Sequence, residues 1–336
     1  MKQHIIFFTG VLFVFFGLRA SALQQEFNVN EGAHLLISSE EATITLTGGT
    51  QSSLKVIIDP ASEAYLDVVT SSESGGGEFI QIRDKISRPK IHSNGKLTES
   101  KFDVKNHVKI EISGHSIPSE IHLREGQVTV QKWQKEFYVH VQKGKILSRE
   151  NANLLVVHMQ KGEVTVTDHQ GKLIIDNFQA NTSLKEIKGD VELQSFMGDL
   201  TMEKLNGSIS VNANHGSIKV LRGTGSLQFE LQKATLTSTQ FEGRVEGQSQ
   251  EGSINIQAGK EPDIIVKSQA GKINISTMLN SGALLNLSSS EGDVIVPSYL
   301  KVSRDGSVRS LRGRLKGELQ KGSIFVRSSE GNIVVK

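Results

Sequence analysis

The chain has 336 residues, of which 38 are basic and 36 are acidic, and it contains no cysteine. The lack of cysteine excludes a disulfide scaffold, thiolate metal sites, a catalytic cysteine and a lipid anchor on cysteine. The near balance of charge gives no case for nucleic-acid binding.

The first 22 residues have the pattern of a secretory signal peptide. Lys2 supplies a positive charge, Ile5 to Leu18 is mostly apolar, and Ala20-Ser21-Ala22 forms a small-residue cleavage site. The apolar run is shorter than the roughly 17–25 residues of a membrane span, and a retained N-terminal anchor is the alternative. We therefore expect an exported protein of the periplasm, cell surface or extracellular space, with no membrane span after signal removal.

Residues 23–124 are expected to form an N-terminal β region that caps the rest of the chain. Five segments have the composition and alternation of strands: Ala42–Leu46, Leu54–Ile58, Tyr65–Thr70, Glu78–Arg83 and Val108–Ser113. They are joined by a Ser/Gly-rich stretch at 71–77 and a polar stretch at 84–106. None of them shares the periodic pattern that follows.

Residues 125–336 contain a nine-residue repeat headed by glycine and continued by alternating aliphatic residues. The alternation predicts a half-buried strand, and the head glycine is expected to supply a turn with φ > 0. The predicted structural turn glycines are Gly162, Gly171, Gly189, Gly198, Gly207, Gly216, Gly225, Gly252, Gly271, Gly292, Gly322 and Gly331. An apolar residue seven positions after many glycines, such as Phe178, Ile187 or Phe196, is expected to fill the corner under the turn.

Two architectures are compatible with short strands at this spacing. An antiparallel sandwich would need roughly twenty units, whereas sheets usually stop near ~10 strands. Stacked repeats contact only their neighbours and have no such limit. We therefore predict an all-β fold, a parallel β-solenoid (β-helix) with an N-terminal β cap. Two or three repeats per coil both remain open, and breaks in the phase near 261–262, near 282 and across 293–312 are expected to be loop insertions.

The same residues resemble a known group of bacterial proteins. The opening Phe27-Asn28-Val29-Asn30-Glu31-Gly32 and the repeated Gly-Asp-Val, Gly-Ser-Ile and Gly-Asn-Ile units resemble the β-strand-repeat family of putative adhesins. Head-GIN-type putative adhesins are similar. The resemblance covers most of the mature chain and implies a right-handed β-solenoid, an envelope or surface location and no known catalytic residues.

No catalytic, metal or cofactor site is predicted. A calcium-binding β-roll needs Gly-Gly-x-Gly-x-Asp turns, and here Asp190, Asp199 and Asp293 alternate with serine at the same place in sister repeats. Outward positions are mixed Ser, Thr, Lys, Gln and Glu without an acid-rich cluster, although a site assembled across adjacent coils stays open. The histidines have no metal-ligand spacing.

Two features are candidates for partner binding. A basic segment near the C-terminus is a possible patch for an anionic partner, with Arg304, Arg309, Arg312, Arg314 and Lys316 as its residues. Solvation of this face is the simpler interpretation. The second feature is the aromatic cluster Trp133, Phe137 and Tyr138, which is expected to be a core joint between cap and repeats rather than a sugar platform.

These patterns favour a non-enzymatic envelope or surface protein that acts as a structural or adhesive β-solenoid scaffold. Its partner would be a protein or an anionic polysaccharide of the cell envelope or surface. The alternatives are a carbohydrate-active β-helix enzyme and a periplasmic envelope-stress or regulatory factor.

Overall fold

The computed structural model describes residues 22–29, 32–62, 65–72, 78–85, 107–278, 281–317 and 319–336. The predicted signal peptide up to residue 21 and most of the two expected linkers lie outside these ranges. The described residues form an all-β fold without an α-helix, as predicted. None of them belongs to a helix that is long and apolar enough to cross a membrane.

The strands before residue 116 belong to the predicted cap region. They are β1 (Leu23–Asn28), β2 (His34–Gly49), β3 (Ser53–Ile58), β4 (Leu66–Ser72), β5 (Glu78–Asp84) and β6 (Val108–His115).

The remaining strands follow the nine-residue phase at first and depart from it near the C-terminus. They are β7 (Ser119–Gln131), β8 (Phe137–Arg149), β9 (Leu155–Thr167), β10 (Leu173–Lys185), β11 (Val191–Met197), β12 (Leu200–Glu203), β13 (Asn206–His215), β14 (Ser217–Leu221), β15 (Thr224–Leu231), β16 (Thr235–Ser249), β17 (Ile254–Ala258), β18 (Asp263–Ser268), β19 (Ile273–Ser276), β20 (Ser281–Ser289), β21 (Val294–Ile295), β22 (Ser303–Asp305), β23 (Val308–Arg314), β24 (Leu319–Ser328) and β25 (Ile333–Val335). Strand β7 continues without interruption through residue 125, where the cap was predicted to end.

Parallel pairing at a fixed offset organises the middle of the molecule. Each strand from β7 to β15 pairs with the equivalent strand 18 residues later, as Gly144 does with Gly162. The offset equals two nine-residue repeats rather than three. Because each 18-residue unit bends between its halves, the pairing runs in two ladders, one through β9, β10 and β11 and one through β9, β10 and β12.

Alternation along each strand separates the core from the surface. In β11, Val191 and Leu193 are buried while Glu192 and Gln194 are exposed. The buried side chains of successive units form one continuous apolar core. Because a slip of one residue would turn this face to solvent, the pattern also fixes the register of the ladder.

The apolar residue seven positions after the head glycine is buried in one repeat of a unit and exposed in the other. Ile187, Leu205 and Phe241 are buried and fill one corner, as predicted. Phe178 and Phe196 occupy the same place in the other repeat, but they are 51% and 40% exposed. The expectation that they fill a corner under the turn is therefore wrong, because each of them directly follows a buried residue of its strand, Asn177 or Ser195, and faces solvent.

The head glycines are required by close approach of the backbone. Gly162 has φ 140°, and a Cβ there would overlap the carbonyl oxygen of Gly144 in the preceding unit. Similar overlaps recur down the ladder, but Gly252, Gly292, Gly322 and Gly331 lack the expected positive φ and are needed for space alone. A second turn position, with φ between 53° and 58°, is held by non-glycine residues: Lys132, Glu150, Asp168, Glu186, Lys204, Arg222 and Gln240.

At both ends of the ladders the spatial order of strands departs from the chain order. Strand β2 lies between β7 on one side and β5 and β6 on the other, although all three strands follow it in sequence. At the other end, β24 lies between β18 and β20, and β25 lies between β19 and β21. At the N-terminal end an early strand therefore lies between later ones, and at the C-terminal end a late segment lies between earlier ones.

Antiparallel strands close both ends. Strand β4 pairs with β5, and β3 pairs with β6 and with β1. At the C-terminal end β23 pairs with both β20 and β22. The segment 293–312, expected to be a loop insertion, thus contains a strand hairpin that covers the edge of β20.

Candidate functional site

A row of exposed side chains follows the corner of the middle units at which Phe178 and Phe196 lie. One residue per unit occupies the same position in the ladder through β9, β10 and β11. It directly follows the last buried residue of that half of the unit. We call this series the amide–aromatic row: Gln142, Gln160, Phe178, Phe196, Asn214, Gln232, Gln250 and Gln269. Apart from the half-buried Asn214, every side chain of the row is exposed, and none of them is charged.

Backbone pairing fixes the spacing of the row. The amide N–H of Gln232 donates to the carbonyl of Ala213 at 3.0 Å, and that of Gln250 donates to the carbonyl of Leu231 at 2.9 Å. The N–H of Gln269 does the same to Ser249 at 2.9 Å. Neighbouring members are therefore held one strand spacing apart, about 4.7–4.9 Å.

Two stacked aromatic rings lie in the middle of the row. The ring centroids of Phe178 and Phe196 are 4.8 Å apart and the rings are almost parallel, at 3°. The ring of His215 lies 6.0 Å from that of Phe196 and is tilted by 57°. The pair therefore presents a continuous apolar rim to solvent between the amides on either side.

An open groove of about 530 Å³ lies beside the C-terminal half of the row. Its lining is polar and includes Asn212, Glu230, Gln232, Gln248, Gln250 and Lys267. The side chain of Gln248 donates to the Glu230 carboxylate at 3.2 Å. The groove thus offers amide donors and acceptors together with one acid and one base.

A second groove of about 650 Å³ lies beside the N-terminal start of the row, and its lining includes Arg83, Arg124, His122, His140 and Gln142. Arg124 forms an ion pair with Glu40. Both grooves thus open on the same corner of the molecule.

Three histidines lie in register beside the second groove. His140 lies between His122 and His158, with ring centroids 6.0 and 6.2 Å away. Burial lowers the pKa of His140, and the two neighbouring histidines lower it further. Glu120 contacts His122 at 2.6 Å and Asp176 lies 3.6 Å from His158, so the outer rings have acidic neighbours.

The predicted basic patch lies on the hairpin at the C-terminal end. Arg304 and Arg309 are partners across β22 and β23, and the Arg309 guanidinium donates to the carbonyls of Gly306 and Ser307 at 3.0 and 2.8 Å. Lys316 lies over the Tyr299 ring at 4.9 Å. Arg304, Arg312, Arg314 and Lys316 are exposed and Arg309 is half-buried. The structure therefore brings the five predicted residues onto one end of the molecule.

The predicted aromatic cluster divides between core and surface. Trp133 is completely buried and its indole N–H donates to the carbonyl of Ile117 at 2.9 Å, and Phe137 is buried as well. Tyr138 is 40% exposed.

The turn aspartate Asp199 accepts a hydrogen bond from the backbone N–H of Ser217 at 2.9 Å and so joins consecutive units.

The amide–aromatic row is not visible at the nine-residue period of the sequence, because its members recur only in every second repeat. At a period of 18, Gln142 and Gln160 share one position, and Gln232 and Gln250 share it again further along. The two phenylalanines were assigned to the interior for the same reason. A search at twice the apparent repeat would have found the row.

Neither a protein-family model nor a curated protein matches the sequence. Two solved structures are similar over most of the chain. A putative cell adhesion protein from Clostridium sporogenes is 10% identical, covering 94% of this chain and 99% of its own, with a TM-score of 0.20. A putative adhesin from Bacteroides fragilis is 15% identical, covering 77% of this chain and 97% of its own, with a TM-score of 0.26.

Proposed function

We propose that this chain is an exported, non-enzymatic scaffold of the cell envelope or surface, wound as a right-handed β-solenoid with two repeats per coil. Residues 1–22 are its signal peptide, 23–124 its N-terminal cap region and 125–336 its repeat region. The 18-residue offset of parallel partners supports the two-repeat coil. A rod of this kind presents the same side-chain positions many times in one direction, which suits binding to an extended surface.

The observation that carries the proposal is the register of the amide–aromatic row. From Gln142 to Gln269 an uncharged polar or aromatic side chain recurs in every unit on one corner, although nothing in the packing of the core requires it there. Exposed side chains of one chemistry in a line are the arrangement expected for contact with a partner along the length of the rod.

The C-terminal hairpin supplies a second contact in this proposal. Arg304, Arg312 and Arg314 are exposed on strands that close the ladder, where charged side chains also prevent pairing with another chain. An anionic envelope polymer would meet this end of the rod. Replacing Arg309, Arg312 and Arg314 by Ser is expected to weaken retention by anionic envelope material in low salt, and unchanged retention would remove this contact from the proposal.

Cell fractionation tests the location. An epitope-tagged copy is expected in the periplasmic or surface fraction without the first 22 residues, which mass spectrometry of the mature N-terminus will show. Protease added to whole cells will separate surface display from a periplasmic location. A cytoplasmic, unprocessed chain would refute the exported scaffold.

A further inference from the structure

We infer that the amide–aromatic row and its adjoining groove form a binding site for a linear, uncharged polysaccharide. The inference deepens the proposed scaffold function by giving the chemistry of its partner. The site consists of the row and the groove of about 530 Å³ beside its C-terminal half.

The donor and acceptor content of the row matches hydroxyl groups. A glutamine or asparagine side chain offers two N–H donors and one carbonyl acceptor, and a sugar hydroxyl is itself both donor and acceptor. Gln232, Gln250 and Gln269 line the groove in succession, with Asn212 and Gln248 on its other side. A polymer with hydroxyls on both edges would be satisfied from both walls.

The charge of the site favours an uncharged ligand. The row itself carries no charge from Gln142 to Gln269. Glu230 and Lys267 balance each other within the groove lining. The described lining of the groove beside the C-terminal half of the row contains no arginine. Exposed arginines lie on the C-terminal hairpin and beside the N-terminal start of the row, so an acidic polymer would be drawn to those places rather than to this groove.

Regular spacing favours a polymer over a folded protein surface. The amides repeat at one strand spacing, about 4.7–4.9 Å, and a ligand that uses them all must repeat as well. Protein partners bind mainly through a few central buried anchors, whereas the row offers mostly exposed, uncharged side chains at a regular spacing. The rim of Phe178 and Phe196 provides the apolar contact that sugar C–H groups require.

Affinity electrophoresis of the purified full chain tests the inference. The gels will contain linear neutral polysaccharides with β-glucan, α-glucan, mannan, xylan or galactan backbones, and one acidic polymer, polygalacturonate. We expect retardation by at least one neutral polymer, with affinity rising with oligosaccharide length because successive contacts act together. The triple variant Gln232→Ala, Gln250→Ala, Gln269→Ala is expected to bind about tenfold or more weakly, from the loss of three hydrogen bonds.

A matched control variant tests whether binding depends on the glutamines of the row or on exposed glutamines in general. Gln131→Ala with Gln257→Ala removes exposed glutamines from the second ladder and is expected to leave binding unchanged, while circular dichroism verifies that all variants fold. Failure of every neutral polymer, or equal binding by the triple variant and this control, would overturn the site. Retardation by polygalacturonate alone, lost when the hairpin arginines are changed, would overturn it while leaving the exported scaffold intact.

Discussion

Between residues 119 and 276 the strands follow one another along the ladders in chain order, whereas at both ends they do not. In the middle, each unit pairs with the units that precede and follow it, as β9 does with β8 and β10. At the ends, β2 lies between β7 and the strands β5 and β6, and β24 lies between β18 and β20, strands that do not adjoin it in sequence. The middle is therefore built from local contacts and the ends from distant ones.

This difference shows how the ends of such a ladder are closed. A stack of identical units leaves an unpaired strand edge at each end, and exposed edges promote association with other chains. Here each end is closed by a displaced segment and by antiparallel strands such as β4 and β23. Closure requires chain segments to meet across a long sequence separation, which costs loop entropy and slows folding.

The largest predicted effect comes from deleting a segment at the end instead of the middle. Deletion of residues 319–336 removes β24 and β25 and leaves β18, β19, β20 and β21 with unpaired edges, and we expect loss of the cooperative thermal transition. Deletion of Gly198–His215 removes one complete 18-residue unit and is expected to be tolerated, because the units on either side have equivalent edges. Circular dichroism melting and size-exclusion chromatography compare the two.

A third deletion refines that result. Removal of Gly198–Asn206 takes out a single nine-residue repeat and would place later strands on the wrong ladder. It is expected to destabilise more than removal of the full unit. Equal damage from the two internal deletions would contradict the two-repeat unit, and survival of the 319–336 deletion would show that the inserted segment is not needed for closure.

Alanine at a head glycine is expected to cost more in the middle than at the end. At Gly162 the new Cβ must accept a left-handed φ and also overlaps the carbonyl of Gly144, for an expected loss of about 3 kcal/mol or more. Gly331→Ala meets an overlap with Gly271 but has no left-handed φ, and its loss should be smaller. Ala180→Gly, at the same ladder position as Gly162, should cost only about 0.5–1 kcal/mol. Urea unfolding measures the free energy of unfolding of all three variants. Equal losses of stability for Gly162→Ala and Gly331→Ala would contradict the role of φ.

The buried histidine of the middle region predicts a pH dependence. Burial lowers the pKa of His169, and neither of its buried ring nitrogens has a hydrogen-bond partner among the described residues. At pH values between this lowered pKa and the value near 6.5 in the unfolded chain, the unfolded state binds more protons than the folded state. The free energy of unfolding should therefore fall as pH drops below about 6.5.

His169→Leu tests this pH dependence. Leucine suits the position because Ile187 and Leu205 fill the same corner in the following units. The variant should gain about 1 kcal/mol and lose less stability than the parent between pH 7.5 and 5. His115→Leu, at an exposed position, serves as the control. Parallel pH profiles for parent and His169→Leu would refute the assignment.

The smallest effect is expected at the second turn position. Gln240 is exposed and has φ 55°, which is unfavourable for a side chain with a Cβ, so Gln240→Gly should stabilise by up to about 1 kcal/mol. Gln257→Gly, in the extended strand β17, should instead destabilise by about 0.5–1 kcal/mol. Differential scanning calorimetry distinguishes them, and the same sign for both changes would contradict the prediction.

The sequence predicted the middle region well because its pattern is set by local rules. Glycine at the head and aliphatic residues two and four positions later, as from Gly189 to Gly225, dictate strand, turn and inward face together. The outward direction of Phe178 was not predictable at a period of nine, since both corners have the same local pattern. The insertion of β24 was not predictable either, because any strand with an apolar inward face could pair at that edge.

The place of β24 and β25 has a consequence for biosynthesis. Residues from 319 onward leave the ribosome after β18 and β20, the two strands between which β24 must lie. Those edges stay open until the late segment arrives, so chain elongation and completion of the sheet are coupled. A prematurely terminated product would keep the open edges and be recognisable to chaperones and proteases as unfinished. The pairing order thus makes the ladder depend on a strand that enters between two strands preceding it in the chain.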